Sequence, residues 1–264
     1  MEIKPMNCRM THIGTATMLL EIGSIRLLTD PVFDPPGRNY YFGYGTSSKK
    51  LTAPALKPEE IGSVDAILLS HDHHEDNLDV SGRAFLKNAR QILTTISGAK
   101  RLGRHAIGLK SWQSTVISSD DIEIKVTAIP ARHGSLGSHL IVGETTGFVL
   151  EWPGQKHGAL YISGDTVWFK GIREITRHFS ISTAILHIGK AGFLSTGPVW
   201  FTLSAKEAVQ VVKALEPQKV IPIHYEGWRH FREPRAQAER EFLKAGIEDK
   251  VQWLPLGQSI EMEI

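Results

Sequence analysis

Four apolar runs of β type in this chain each stop at side chains that can ligate a metal, and that repetition constrains the fold more than any other feature. Val64–Leu69 leads into Ser70-His71-Asp72-His73-His74-Glu75-Asp76-Asn77-Leu78-Asp79; Ile122–Pro130 is followed by His133, Leu160–Ser163 by Asp165, and Val220–Ile223 by His224. Imidazole and carboxylate are donors that borderline-soft divalent cations prefer. A hydrogen-bonded turn accounts for any one of these residues taken singly. Together they call for sheets whose strand ends share a rim, where donors distant in sequence can surround a common cation.

The composition allows such a fold. Of 264 residues, 41% are hydrophobic and 22% charged, enough apolar material for a sizeable core. Thirty Lys and Arg against 28 Asp and Glu leave +2, which supplies no strong field toward nucleic acid or acidic lipid. The expected partner is a small-molecule substrate, with no nucleic acid; a homo-oligomer is open. Cys8 is the lone cysteine, so disulfide frameworks and thiolate zinc sites are excluded. Met1-Glu2-Ile3-Lys4-Pro5 lacks the apolar stretch of a secretory signal, and no apolar run approaches the roughly 18 residues of a membrane span. A cytoplasmic protein is expected. The excess lies in histidine, 12 in all.

Period-two patterns and Gly breaks predict a meander over Cys8–Ile13, Thr17–Ile22 and Ile25–Thr29, then a long irregular segment over 34–58 with an aromatic middle. Beyond residue 64, strands alternate with helical stretches. Helices are expected over Val80–Arg90, Phe169–Phe179, Ser204–Leu215 and Pro234–Ala245, and strands over Ile92–Ile96, Thr115–Ser118, Ala184–Ile188 and Val251–Leu254. A hairpin is expected within Leu140–Trp152, and Ser204 with Glu207 forms a capping-box signature. This reads as one α/β domain over 1–264, with strands for two sheets and helices to cover both outer faces.

The chain resembles the metallo-β-lactamase-fold hydrolases, and within them the branch with the ascorbate-phosphate lactonases and N-acyl phosphatidylethanolamine phospholipase D. The likeness runs through Ile13-Gly-Thr-Ala-Thr-Met-Leu-Leu-Glu21, Leu27-Leu-Thr-Asp-Pro31, the Ser70–Asp79 cluster, Pro130-Ala-Arg-His133, Ser163-Gly-Asp-Thr166, Leu186-His-Ile-Gly189 and Ile221-Pro-Ile-His224. It implies a four-layer αβ/βα sandwich of two mixed β-sheets flanked by helices, with one or two divalent metals at the rim. Zinc is the first expectation; manganese and iron are alternatives. The resemblance makes His133 the third imidazole on the first metal, Asp165 a carboxylate bridging two metals, and His224 an imidazole on the second. It also implies that Asp30 hydrogen-bonds a ligand histidine.

The family motif His-x-His-x-Asp-His does not fit cleanly. Counting from the left gives His71, His73, Glu75 and Asp76; counting from the right makes His74 the second histidine and aligns Asp76-Asn77-Leu78-Asp79. The preferred register keeps His71, His74 and Asp76, absorbs one extra residue, and turns His73 or Glu75 toward substrate or solvent. Asn77 then stands where the last histidine would be, which weakens the second site. Thr15 and Thr202 occupy places where those relatives tend to carry histidine. His12, His139 and His187 are the compensating candidates, His187 the best placed.

The resemblance implies a metal-dependent hydrolase in which a metal-bound hydroxide cleaves a small ester, lactone or phosphodiester, with Asp76 or Asp165 orienting it. The alternative is a metal-binding module of the same fold without catalysis. His187, Tyr225 and Arg229 are candidate substrate contacts. Tyr40, Tyr41, Phe42 and Tyr44 could form a lid, and Phe193–Phe201 an opposite wall.

Overall fold

The computed structural model describes residues 6–103, 105–135, 137 and 142–264. Its strands are β1 (Cys8–Gly14), β2 (Thr17–Ile22), β3 (Ile25–Thr29), β4 (Asn39–Gly43), β5 (Thr46–Lys49), β6 (Val64–Leu68), β7 (Ala89–Thr95), β8 (Ala106–Leu109), β9 (Ser114–Ser118), β10 (Glu123–Pro130), β11 (Thr146–Glu151), β12 (Ala159–Ile162), β13 (Ile181–His187), β14 (Lys219–Ile223) and β15 (Ser259–Met262). A seven-stranded sheet runs β15-β1-β2-β3-β6-β7-β8 and a six-stranded sheet β14-β13-β12-β11-β10-β9, while β4 and β5 pair as a separate hairpin. Both large sheets are mixed. β3, β6, β7 and β8 are parallel in the first, and β12, β13 and β14 in the second.

Side-chain alternation sorts the apolar residues into layers. On β2, Met18, Leu20 and Ile22 join the core between the sheets, together with Ile124, Val126, Phe148, Leu160 and Ile185 from the opposite sheet. Their neighbours point outward: Leu19 packs with Ile61 and Phe85 on one outer face, and Tyr161 and Leu186 pack with Val211, Val212 and Phe242 on the other. The period of two therefore places three apolar layers between two sheets and their covering helices, as the sequence predicts. Ser204 caps Ala205–Leu215, with Glu207 accepting the Ser204 N–H at 2.9 Å.

Several elements differ from their sequence expectation. The helix at Val80 ends at Phe85 and passes through a 3₁₀ turn, because residues from Ala89 onward are drawn into β7. Lys170–Arg177 is 3₁₀, and its buried Ile172 and Ile175 lie three apart, which suits that period. Val251 makes only an isolated bridge to Val220, while Trp253 packs across Tyr225 at 4.9 Å instead of extending a ladder. The expected hairpin from Leu140 begins outside the described residues, and β11 starts at Thr146. The irregular segment holds the β4–β5 hairpin.

That hairpin is tied down by a buried ion pair. Lys50 Nζ lies 3.0 Å from Asp79 Oδ2, with the two side chains 2% and 0% exposed. Asp79 Oδ1 also accepts the Gly82 N–H and caps the helix after the histidine cluster. Removing only the cation strands a buried carboxylate. Lys50→Met is expected to cost about 3–5 kcal/mol, read as a lowered denaturation midpoint. Adding Asp79→Asn, which keeps a capping oxygen, should recover part of that loss; an unchanged midpoint in Lys50→Met would refute the role of the pair.

Candidate metal centre

Strand direction brings the candidates together. β3 and β6 run parallel, as do β12, β13 and β14, and two antiparallel pairings through β11 turn β10 the same way as β12. Asp30 follows β3, the Ser70–Asn77 loop follows β6, His133 follows β10, Asp165 follows β12, His187 ends β13 and His224 follows β14. Three of the residues in this region hold left-handed backbone without being glycine: Thr15 at φ 52°, Asp30 at φ 29° and His224 at φ 62°. Such conformations persist where surrounding contacts impose them. Here the His224 N–H donates to the Thr15 carbonyl at 2.8 Å. Gly164, at φ 57°, turns the chain into Asp165 where a Cβ would collide with the Thr146 carbonyl.

Two clusters of donors result. His71, His74 and His133 form one, and Asp76, Asp165 and His224 the other; within each, the potential ligand atoms lie within 4.8 Å of one another. In the first, His74 Nδ1 is 3.1 Å from His71 Nε2 and 3.0 Å from His133 Nε2. Donors around a tetrahedral cation at 2.0–2.1 Å stand about 3.3 Å apart, so the trio matches that spacing closely. The hydrogen bonds behind the rings assign their tautomers. Ser70 Oγ donates to Asp30 Oδ1 at 2.8 Å, so it accepts from His71 Nδ1–H at 2.9 Å and from Asn77 Nδ2 at 3.2 Å. His133 Nδ1–H donates to the Phe201 carbonyl at 3.0 Å. Both rings are left with an Nε2 lone pair facing His74.

Asp30 thus acts on His71 through Ser70, not directly as expected, and Asn77 sits in the same support. His73 belongs to neither cluster: its Nε2 is turned onto the Val142 carbonyl and its Nδ1 lies 3.8 Å from Asp72, itself bound by Arg101. The left-hand count of the motif, which made His73 a ligand candidate, is corrected by this orientation.

In the second cluster, His224 Nε2 lies 3.5 Å from Asp76 Oδ2 and 3.6 Å from Asp165 Oδ1. His187 Nδ1 is 3.0 Å from Asp165 Oδ1, and His230 Nε2 is 3.0 Å from Asp76 Oδ2. Both nitrogens of His224, Asp76 Oδ1 and His187 Nε2 are buried without a hydrogen-bond partner. Of these, the unpartnered His224 Nε2 faces both carboxylates, an arrangement a cation would satisfy, so the donor set fits a divalent metal.

The substrate contacts come out differently from the sequence reading. His187 is fully buried, stacked on His224 and bonded to Asp165, so it braces the carboxylate and does not line the cavity. Tyr225 packs on Trp253, and Arg229 is exposed; neither borders the cavity. His12 faces the Thr15 carbonyl at 3.2 Å, and His139 lies outside the described residues. The residue the sequence reading passed over is His230, next to Arg229. Its burial beside Asp76 had no local pattern to betray it. Of the lid aromatics, Phe42 and Tyr44 line the cavity, while Tyr40 is buried on Asp34 and Tyr41 is exposed.

Electrostatics separates the clusters. Burial holds His71, His74 and His133 below the ordinary histidine value, with neighbouring imidazoles adding to the effect. Burial would also lower His224, but the facing Asp165 and Asp76 carboxylates prevail and push it up to about 9. Burial likewise opposes ionisation of Asp76 and Asp165, yet the surrounding histidines hold both below the usual carboxylate range.

Two predictions follow from this geometry. His74→Ala should remove more bound metal than His73→Ala, counted by elemental analysis of the purified variants; the reverse order would restore the left-hand register. In metal-stripped protein the trio is already neutral at pH 7, whereas His224 must release a proton before it can ligate. Between pH 6.5 and 8 the first equivalent should bind with little pH dependence and the second should tighten about tenfold per unit, measured against a competing chelator. Equal slopes would show that no proton is displaced at His224.

Known proteins place the chain in a family. Residues 25–225 match the family described as Beta-lactamase superfamily domain. A metal-dependent hydrolase of Pyrococcus furiosus is 29% identical over 260 residues, covering 96% of this chain and 99% of that protein. The crystal structure of an isothiocyanate hydrolase from Delia radicum gut bacteria superposes with a TM-score of 0.81 at 21% identity, over 97% of this chain and 100% of that one. A possible metal-dependent hydrolase from Veillonella parvula gives 0.81 at 19% identity, over 98% and 100%. Matched across most of its length, the chain belongs to the beta-lactamase superfamily.

Proposed function

We propose that this protein is a metal-dependent hydrolase of a small ester, lactone or phosphodiester. The observation that carries the reading is the imidazole trio, two of its rings with tautomers fixed from behind, of which His74 and His133 border a cavity of about 520 Å³. That size suits a small-molecule substrate. His74, Asp76, His133 and Asp165 all border it. A sensor or scaffold has no need for donors that open into a substrate-sized space, which favours the enzyme over the metal-binding module.

His71, His74 and His133 would hold one cation, and Asp76, Asp165 and His224 a second. Zinc suits the imidazole trio, while the oxygen-richer second set also accepts manganese or iron. A bound divalent cation supplies Lewis acidity and makes water nucleophilic near neutral pH. The chain's own residues do the rest. His187 fixes Asp165 Oδ1 and His230 fixes Asp76 Oδ2, leaving Asp76 Oδ1 to take the proton that water releases as its oxygen bonds to the acyl carbon or phosphorus. The proton then passes to the leaving oxygen as its bond breaks.

The test is hydrolysis of 4-nitrophenyl esters, γ-lactones and bis(4-nitrophenyl) phosphate before and after chelation. Activity should vanish on chelation and return with one specific metal. Asp165→Ala should lower the metal content below that of the parent and reduce kcat by at least about 100-fold. Chelator-resistant turnover, or none on any class with metal fully loaded, would reject the hydrolase.

A further inference from the structure

We infer that the cavity selects electrically neutral substrates bearing an aromatic or similarly flat apolar group, and discriminates against anionic phosphodiesters; this rests on the hydrolase reading and narrows its substrate class. The walls are the first ground. Phe42, Phe193 and Phe201 line the cavity together with Val142 and Val199, and Phe42 and Phe201 lie 5.8 and 5.6 Å from the His74 and His133 rings. Phe42 lies 5.4 Å from Phe193 and 4.9 Å from the His230 ring, and Phe193 stacks on His230 at 4.9 Å with an interplanar angle of 7°. Rings in this arrangement offer faces and edges to another ring at ordinary aromatic spacing.

The second ground is charge. Among the described residues lining the cavity none is Lys or Arg. The nearby cations are engaged elsewhere. Lys190 Nζ sits 4.7 Å over the Trp200 ring and 3.6 Å from Glu233. Arg132 donates to the Trp168 carbonyl at 3.0 Å and lies over Phe169. Arg38 covers the Tyr40 ring, and Arg229 faces solvent.

A phosphodiester carries its negative charge before, during and after reaction. Against these walls it would lose hydration and gain no side-chain cation in exchange. Metal charge at the reacting atom is already offset in part by Asp76 and Asp165, both bordering the cavity. A neutral ester or lactone meets neither difficulty, because its negative charge develops only at the oxygen beside the metals.

The test uses a closely matched pair on the metal-loaded protein: methyl diphenyl phosphate, a neutral triester, and diphenyl phosphate, the anionic diester that lacks only its methyl group. Calorimetry should show the neutral triester binding at least tenfold tighter than the anion, and tighter than trimethyl phosphate by a similar factor. Val199→Arg should close the charge gap, and Phe42→Ala should remove most of the aromatic advantage. Equal or tighter binding of diphenyl phosphate to the unaltered protein would overturn the proposal, as would undetectable binding of the triester. Because binding is read apart from turnover, a failure of the hydrolase reading shows up separately, as the absence of chelator-sensitive ester cleavage.

Discussion

The Nε2 lone pairs of His71 and His133 both face His74 Nδ1 from about 3 Å, and the fold exists in large part to hold them there. Left to itself each ring would flip or take up a proton. His71 cannot flip without breaking its bond to Ser70, whose hydroxyl has its one proton committed to Asp30 and its lone pairs to His71 and Asn77. His133 is pinned in the same sense by a backbone carbonyl. Burial supplies the other half, since a ring cut off from water resists protonation. Neutral rings held with their Nε2 lone pairs facing inward need neither flip nor lose a proton to accept a divalent cation.

The second cluster solves a different problem. Two buried carboxylates close together would repel, and in the metal-free chain a protonated His224 between them lowers that cost. The imidazolium stands in for the cation. His187 and His230 bond the same two oxygens that face His224, Asp165 Oδ1 and Asp76 Oδ2, and so hold both carboxylates in place from the side. The first cluster awaits a cation empty-handed, whereas the second surrenders something to receive one.

Much of this was legible in the sequence because its signals are local. Alternation over Ile122–Ile129 and short apolar runs elsewhere marked the strands, and a donor after each of four such runs marked the rim. The choice of His74 over His73 could be argued from the family resemblance, which aligns Asp76-Asn77-Leu78-Asp79 with the end of the motif and so favours the right-hand count. What escaped depends on contacts across the chain. His230 meets Asp76 over 154 positions and Lys50 meets Asp79 across a separate hairpin, and neither leaves a period or motif behind. His187 illustrates the opposite error: its place at a strand end was read correctly, but the direction of its ring, into Asp165 and away from the cavity, is set by packing against His224. Arg229 drew attention by its charge, while the His230 ring beside it entered the site.

The hairpin links the metal rim to what the protein can bind. β4 and β5 pair with each other and belong to neither large sheet, so their sequence can vary without disturbing either core. Yet Phe42 must stay near His74 and His230 to shape the cavity, at 5.8 and 4.9 Å. Lys50 reconciles these demands by clamping the hairpin's end to Asp79, the residue that also caps the helix leaving the histidine cluster. One carboxylate thereby ties the hairpin to the loop that carries the ligands, while Ser48 Oγ on β5, 2.7 Å from His230 Nδ1, ties it to the second cluster, so the walls of the cavity are positioned against its chemistry from both sides.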